Sequence, residues 1–286
     1  MKSNSYALIT GSSSGIGKAI AYEFARLKVN VILVALPGSG TEDVRRDLIT
    51  NFGVKADLLE TNLTEPGSPN AIFSWCISRQ YDVEILVNNA GFGNLCCFEE
   101  TAPELITRML SLNNHVLVAL TQLFIPHLKR RGGGYVLNVG SLAAFFPLPN
   151  KSVYAATKSF VYAFSAALRV ELKPYHIHVC CLCPGGTITN ASIMDRLAST
   201  RIGNWNFHQM PDAVAKEAVQ KLFQRKKRII PGLINKMFYQ LSLRLPSYIV
   251  EWIVQQIFSH GAKVKINNPQ YNLRPVQTTM HFGKQL

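Results

Sequence analysis

Short apolar runs alternate with longer helical segments along the first 190 residues, and this alternation constrains the fold more than any other feature. The run YALIT opens the series, and five further runs rich in Val, Ile and Leu follow at VNVILVAL, VKADLLETN, VEILVNNAG, GGYVLNVGS and IHVCCLCPG. Strands separated by helices form right-handed crossover units and a parallel sheet covered on both faces. The alternation therefore predicts an α/β fold with a doubly wound parallel sheet.

The alternation ends after residue 190, where apolar and basic helical segments are interrupted by Pro211, Pro231 and Pro246. A chain of 286 residues is long for one domain, but open α/β sheets reach this size as a single unit. We therefore expect a single domain with a helical, basic C-terminal extension. Its parts are a core at 1–190, a helical segment of the same domain at 191–260, and a loose tail at 261–286.

Positive charge is concentrated in the last third of the chain. The net charge is +13; residues 1–200 hold 17 Lys and Arg against 14 Asp and Glu, whereas residues 201–286 hold 13 against 3. This asymmetry favours an anionic partner, such as membrane headgroups, an acidic carrier protein or a phosphate-bearing substrate, and a solvated basic face without a partner is the alternative. Nucleic acid fits poorly, because the basic residues cluster with apolar helix faces and no recognised binding module is present.

The six cysteines form no paired CxxC motif, and three of them lie in the apolar run IHVCCLC. We expect buried free thiols in a reducing compartment and no metal site. The amino end moves directly into a strand without a secretory leader, and no uninterrupted apolar run reaches the roughly 18–20 residues of a membrane span. The expected location is cytoplasmic, and association with a membrane stays open.

A glycine-rich turn, TGSSSGIG (10–17), joins the first strand to its helix. Gly11, Gly15 and Gly17 carry no Cβ, so the backbone can turn sharply and a pyrophosphate can approach it. Amide N–H groups at the N-terminus of the helix point toward such an anion, and the helix dipole favours its charge. Between a first strand and a first helix, this turn predicts a Rossmann-type dinucleotide site.

Five motifs together resemble the short-chain dehydrogenase/reductase family over roughly residues 5–190. They are TGSSSGIG, NNAG at 88–91, Ser141, YAATK at 154–158 and PGGTIT at 184–189, in the order and spacing of that family. The resemblance implies that residues 1–190 bind the dinucleotide and carry the catalytic groups. It also implies that residues 191–260 set substrate specificity.

The resemblance implies a cofactor site built from several loops. The glycine loop and NNAG would line the pyrophosphate and adenosine half, Asn62 and Leu63 would contact the adenine, and PGGTIT would close over the nicotinamide, with Thr189 at the carboxamide. The implied cofactor residues are Gly11, Ser12, Ser13, Gly15, Ile16, Gly17, Asn62, Leu63, Asn88, Asn89, Ala90, Gly91, Tyr154, Lys158, Pro184, Gly185, Thr187 and Thr189.

The end of the second strand bears on which dinucleotide is bound. NAD-selective sites usually place an acid there to bind the ribose diol, and this chain has Ala35. Without that acid, nothing at this position repels a 2′-phosphate, which favours NADP(H) over NAD(H). The next residue is Leu36 rather than a basic residue, so a clamp for the phosphate has to come from elsewhere or from hydroxyls such as that of Ser12.

Tyr154 and Lys158 lie four residues apart in a segment that reads as a helix from about 152 to 173, so both side chains lie on one face. A free phenol has a pKa near 10, and a neighbouring cation favours the phenolate. This pair therefore predicts general acid–base chemistry by Tyr154. The resemblance implies that Lys158 also binds the nicotinamide ribose.

Two further catalytic residues follow from the resemblance. Ser141, thirteen residues before Tyr154, would hydrogen-bond the substrate oxygen. Asn113, in the helical segment at about 103–130, would hold a water that links Lys158 to solvent, although the adjacent Asn114 leaves the register open.

We therefore predict an NAD(P)(H)-dependent oxidoreductase that interconverts a carbonyl and a secondary alcohol. The apolar segment LAAFFPLPNKSV after Ser141 favours a lipophilic, acyl or steroid-like substrate, and simple core packing of Phe145 and Phe146 is the alternative. Trp252, Phe238 and Tyr239 either contact a membrane peripherally or pack in the core or an interface.

The resemblance also implies a homodimer or homotetramer formed through the helix that carries Tyr154. Two other functions remain open on the same fold: a non-catalytic dinucleotide-binding redox sensor, and a peripheral membrane protein.

Overall fold

The computed structural model describes residues 4–187 and 209–258, and their centre is a seven-stranded parallel sheet. The strands are β1 Ser5–Thr10, β2 Asn30–Ala35, β3 Ala56–Glu60, β4 Asp82–Asn88, β5 Gly134–Val139, β6 Ile177–Leu182 and β7 Arg228–Ile229. The helices are α1 Gly15–Arg26, α2 Thr41–Phe52, α3 Ser68–Ser78, α4 Pro103–Leu110, α5 Val116–Arg130, α6 Ser152–Leu172, α7 Pro211–Phe223, α8 Leu233–Ser242 and α9 Ser247–Phe258.

The strand order β3-β2-β1-β4-β5-β6-β7 places the functional loops. From β1 the chain first adds strands on one side and then, from β4 onward, on the other, so the order reverses between β1 and β4. Ligands of open parallel sheets bind in the crevice at the carboxyl ends of the strands at such a reversal. The loops that follow β1, β4, β5 and β6 all open at this edge.

Helices cover both faces of the sheet, as the alternation predicts. On one face, Phe24 of α1, Leu48 of α2 and Leu222 of α7 belong to one core cluster with residues of the central strands. On the other face, α3, α5 and α6 pack through residues such as Phe124 and Leu168. The strands are buried on both sides, which explains why they read as continuous apolar runs instead of alternating ones.

The structure corrects two sequence-based expectations. The alternation was predicted to end after residue 190, yet β7 joins β6 as a seventh strand at the edge of the sheet. It has only two residues, too few to produce a readable pattern. All six cysteines are free, but only four are buried, because Cys96 and Cys97 lie partly exposed in the loop after β4.

The helical segment predicted at about 103–130 forms one stretch in which a π-helical turn, Ser111–His115, separates α4 from α5. Within the described part of the chain, this stretch alone is long and apolar enough to cross a membrane by length and composition. Leu120, Phe124 and Leu128 are buried against the sheet. This packing identifies the stretch as a helix of the protein core.

Candidate active site and dinucleotide cradle

The glycine turn forms a cradle between β1 and α1. Gly11 and Gly15 have φ angles of +65° and +57°, which residues with a Cβ rarely adopt. A Cβ at Gly17 would overlap the Gly11 carbonyl oxygen and Asn89 Nδ2. Because the first N–H groups of a helix have no partner inside it, the amides at the start of α1 are available to an anion. These features fit a dinucleotide pyrophosphate.

The loop after β4 fastens this cradle. Thr10 Oγ1 accepts hydrogen bonds from the amides of Asn89 and Ala90, both at 3.0 Å. Asn89 Nδ2 donates to the carbonyls of Thr10 and Gly11, at 2.8 and 3.0 Å. The Asn89 side chain therefore bonds to the backbone of the glycine turn, and its role in the site is to stabilise the conformation of the cradle.

Asn88 points away from this cradle, although the NNAG resemblance places it there. Its Nδ2 donates to Thr121 Oγ1 and Asn138 Oδ1, both at 2.9 Å, and Asn138 Nδ2 donates in turn to Ser165 Oγ at 2.9 Å. The four side chains form a buried polar ladder between β4, β5, α5 and α6. Asn88 thus links the strands to the helices beneath the site.

The adenosine end contains fewer free groups than the sequence implies. Ser12 is buried, and its hydroxyl donates to the Val34 carbonyl at 3.2 Å, so the structure does not present it as a phosphate clamp. Asn62 Oδ1 accepts from the amide and hydroxyl of Thr64, at 3.1 and 2.8 Å. The adjacent Leu63 is buried, whereas Leu36, at the end of β2, is exposed. Ser13 and Ile16 are partly exposed in the glycine turn.

Tyr154, Lys158 and Ser141 meet at the carboxyl end of β5. Tyr154 and Lys158 lie on the first turns of α6, and the Lys158 Nζ is 5.8 Å from the centroid of the Tyr154 ring. Ser141 follows β5 and caps the short 3-10 helix Leu142–Phe145, with its Oγ accepting from the Ala143 amide at 3.1 Å. The structure thus brings together three of the predicted catalytic side chains.

Burial controls the electrostatics of this group. Burial raises the pKa of Tyr154, and the Ser141 hydroxyl beside it acts in the opposite direction. Burial also lowers the pKa of Lys158 from 10.5 to about 8. Its ammonium donates to the Val139 carbonyl at 2.8 Å, which fixes the position of the amine at the end of β5. A lysine with this pKa is mostly charged at neutral pH, and it releases its proton more readily than an ordinary lysine.

Asn113 lies in the π-helical turn and is almost completely buried. Its amide forms a pair with the backbone of Phe92, accepting from N at 3.0 Å and donating to O at 2.9 Å, and it also donates to Thr157 Oγ1 at 3.1 Å. Asn114 donates to the Thr157 carbonyl at 2.9 Å. Both asparagines therefore join the long helix to α6, and of the two only Asn113 bonds to the loop after β4.

Two glycines of that loop bring the backbone close to the catalytic side chains. A Cβ at Gly91 would lie 2.8 Å from Asn113 Oδ1 and 3.5 Å from Lys158 Nζ. A Cβ at Gly93 would lie 2.6 Å from Tyr154 Cδ2. The sequence analysis missed Gly93 and Val139. A second glycine two residues after the end of NNAG was the available signal for Gly93, whereas Val139 acts only through its carbonyl, which no side-chain pattern reveals.

The loop after β6 is fastened beside Ser141. The Leu142 amide donates to the Pro184 carbonyl at 2.8 Å, and the Thr187 hydroxyl donates to the Gly185 carbonyl at 3.3 Å. A Cβ at Gly185 would lie 2.7 Å from both Asn235 Nδ2 and Oδ1, so α8 packs directly on this loop. Thr189 lies outside the described residues.

An aromatic layer covers the site on the side of α8. The ring of Phe146 lies 4.8 Å from that of Phe238, and Phe145 lies 4.7 Å from Tyr239 and 4.8 Å from Tyr162. Phe238 and Tyr239 therefore pack inward, as the core alternative predicts, whereas Trp252 is exposed. The same packing connects the segment after Ser141 to the C-terminal helices.

Known proteins resemble this chain in sequence and structure. The profile of the short chain dehydrogenase family matches residues 5–198. A dehydrogenase/reductase SDR family protein 7-like protein of Drosophila melanogaster is 28% identical over 256 residues, 86% of this chain and 78% of that protein. A very-long-chain 3-oxoacyl-CoA reductase of Pyrenophora tritici-repentis is 31% identical over 205 residues, 70% of this chain and 59% of its own length.

Solved structures agree with this match. A short-chain dehydrogenase from Sphingobium yanoikuyae, solved in complex with NADPH, superimposes with a TM-score of 0.73 at 30% identity. The superposition covers 84% of this chain and 93% of that one.

Proposed function

This chain belongs to the short-chain dehydrogenase/reductase family, and we propose that it reduces a lipophilic carbonyl with NADP(H), using Tyr154 as the proton donor. It is an oxidoreductase that acts on CH–OH groups and carbonyls with a nicotinamide cofactor. The observation that carries the proposal is the meeting of Tyr154, Ser141 and a buried Lys158 at the carboxyl end of β5, next to the dinucleotide cradle.

The protein's own groups have distinct tasks in this proposal. Ser141 holds the substrate oxygen, and Tyr154 gives that oxygen a proton in reduction or removes one in oxidation. Lys158, anchored on the Val139 carbonyl, lies beside Tyr154 and favours its phenolate form. When bound, the nicotinamide supplies or accepts the hydride.

Asn113 stabilises the packing around Tyr154 and Lys158. Its contacts with Phe92 and Thr157 hold the loop after β4 against α6, and π-helical turns within helices occur frequently at functional sites. We retain the predicted role of Asn113 in a proton path from Lys158 to solvent as part of the proposal.

The preference for NADP(H) is supported by Ala35 at the end of β2, where NAD-selective proteins carry an acid. A related short-chain dehydrogenase was solved with NADPH. Glu60, at the end of β3, accepts from the Gly38 amide at 3.2 Å and is the acid at this corner of the site. Fluorescence titration with NADPH and NADH tests the preference, and Glu60→Gln is expected to tighten NADPH binding more than NADH binding, because it removes a charge that repels the 2′-phosphate.

A lipophilic substrate is supported by the aromatic layer of Phe145 and Phe146 next to Ser141. One relative is a very-long-chain 3-oxoacyl-CoA reductase, so long-chain acyl carbonyls belong in the substrate panel. Steroid-like ketones are the second class, because they too are apolar carbonyl compounds.

The deciding experiment compares Tyr154→Phe with wild type in an NADPH oxidation assay on acyl and ketone substrates. We expect turnover to fall by about 10²–10⁴-fold while NADPH binding changes little, because only the proton donor is lost. Tyr175→Phe, at an exposed tyrosine, is the matched control and should retain full activity. Turnover near the wild-type value in Tyr154→Phe would contradict the proposed mechanism.

We further propose that α6 forms the contact of a homodimer or homotetramer, supported by the exposed Phe160 and Val170 on that helix. Light scattering after size-exclusion chromatography tests this, with Val170→Glu as the disrupting variant. We place the protein in the cytoplasm.

A further inference from the structure

Helix α8 has two faces with different surroundings. Its inner face contacts the site: Asn235 lies against Gly185, and Phe238 and Tyr239 pack on Phe146 and Phe145. Its outer face carries Leu233 and Met237, which are 71% and 63% exposed, and Leu241 one turn further along. Residues four apart lie on one side of a helix, so these three side chains form an apolar row on the outside of the helix that covers the site.

Helix α9 continues this pattern. Tyr248 and Trp252, again four residues apart, are 68% and 62% exposed. The helix is held in place by Val254, which is buried in the same core cluster as Tyr239. Both C-terminal helices are therefore packed on the protein through one face while presenting large apolar side chains on another. Soluble proteins rarely expose so many large apolar side chains together unless they meet a partner.

The C-terminal part of the chain is basic, with Lys236 in α8 and Arg244 after it, and this charge indicates the kind of partner. Residues 209–258 contain eight Lys and Arg against three Asp and Glu, and the sequence from 259 to 286 adds four Lys and Arg and no acid. Arg244 is exposed in the connection between α8 and α9. A symmetric contact between two copies would bring this basic region against itself, which is unfavourable. An anionic lipid surface complements it.

The side chains themselves also suit a bilayer. Trp and Tyr are enriched where a protein meets the headgroup region, because each has an apolar body and one polar atom. Leu and Met beside them would enter the acyl boundary, as in amphipathic helices that lie in the membrane plane.

We propose that the outer faces of α8 and α9, formed by Leu233, Met237, Leu241, Tyr248 and Trp252, dock this protein on an anionic membrane surface. The inner face of α8 contacts the loops of the site, so docking through the outer face brings the site to within about one helix diameter of the lipid, where a lipophilic substrate is dissolved. The choice of substrate rests on the proposed function, whereas the docking does not.

The test is co-sedimentation of the full-length protein with vesicles of phosphatidylcholine alone or with about 30% phosphatidylserine, the type of anionic lipid that attracts basic segments. Wild type is expected to bind the anionic vesicles. Met237→Glu/Trp252→Glu should bind at least about tenfold more weakly, because two charges enter the apolar face. Ile49→Glu/Ile77→Glu, which changes two exposed apolar residues on α2 and α3, is the matched control and should bind as wild type does.

Two measurements separate the possible results. Turnover of a water-soluble ketone without vesicles should be equal in all three proteins, so a failure of the proposed enzymatic function leaves the vesicle result interpretable. The oligomeric state should also be equal. The proposal is overturned if wild type ignores anionic vesicles, if Met237→Glu/Trp252→Glu binds them normally, or if that variant only dissociates an oligomer.

Discussion

The ring of Tyr154 packs so closely on the backbone of Gly93 that a Cβ at Gly93 would lie 2.6 Å from Tyr154 Cδ2. The two residues are 61 positions apart in the sequence and belong to different elements. The contact sets the position of the proposed proton donor, since the ring is fixed on one side by this glycine and on the other by the turn of α6.

We predict that Gly93→Ala lowers kcat by more than about tenfold, because a small displacement of a reacting group has a large effect on rate. NADPH affinity should change much less, since the cradle lies at Gly11–Gly17. Steady-state kinetics and fluorescence titration measure the two effects separately. Gly132→Ala is the control: nothing lies within 4 Å of an added Cβ there, so its φ of +88° causes backbone strain without a contact to the site. Equal kcat values for both variants would mean that the Gly93 contact does not position Tyr154.

Ser141→Ala should move the pH profile of the reaction. Burial raises the pKa of Tyr154 and the Ser141 hydroxyl lowers it, so removing that hydroxyl raises the pKa further. Oxidation of an alcohol requires the phenolate, so the rising limb of its kcat profile should shift to higher pH. Reduction requires the protonated phenol, so its activity should persist to higher pH. Ser78→Ala, at an exposed serine, should leave both limbs in place; a profile for Ser141→Ala that lost height without shifting would contradict the expectation.

Lys158→Met should remove a pH-dependent part of the stability. Burial lowers the pKa of Lys158 in the folded protein from 10.5 to about 8, so between these pH values the unfolded chain binds more protons than the folded one. The free energy of unfolding of wild type should therefore rise with pH across this window relative to Lys158→Met, by about 3 kcal/mol at most. Below pH 8 the difference between the two proteins should be constant. Urea unfolding at pH 7, 8, 9 and 10 tests this, and parallel curves throughout would mean that the lysine titrates normally.

Asn138→Ala should destabilise the fold without touching the catalytic side chains. It removes the acceptor for Asn88 Nδ2 and the donor to Ser165 Oγ in the buried ladder. Leaving buried polar groups without partners costs about 1–3 kcal/mol, which urea unfolding resolves.

The double variant Asn88→Ala/Asn138→Ala is the internal control for this ladder. Substitutions within one hydrogen-bond network do not have additive effects on the free energy of unfolding. The double variant should therefore lose less stability than the sum of the losses in the two single variants. Full additivity would show that the ladder does not act as one unit.

Local patterns predicted much of the fold because they depend on neighbours in the chain. The alternation of strands and helices predicted six of the seven strands of the sheet, and the glycine turn predicted where α1 begins. The spacing of Tyr154 and Lys158 predicted that both lie on one face of a helix, which follows from helical periodicity alone. The two-residue strand β7 was missed because pairing with β6, not its own composition, makes it a strand.

The two faces of α8 show what local sequence patterns do not predict. From the sequence alone, Phe238, Tyr239 and Trp252 cannot be told apart. Each is an aromatic residue in an apolar helical segment, and each suits a membrane surface or a core equally well. Periodicity shows that a helix has two apolar faces but contains no information on which face another element covers.

By itself, then, the sequence determined the order of elements, the cradle at the first turn and the pairing of Tyr154 with Lys158, since all of these arise from residues within a few positions of each other. Only the tertiary structure decided that Val139 anchors Lys158, that Gly93 supports Tyr154, that Asn88 faces the core and that Met237 faces outward. Each of these depends on segments far apart in the chain, and their contacts are set by how strands and helices pack together.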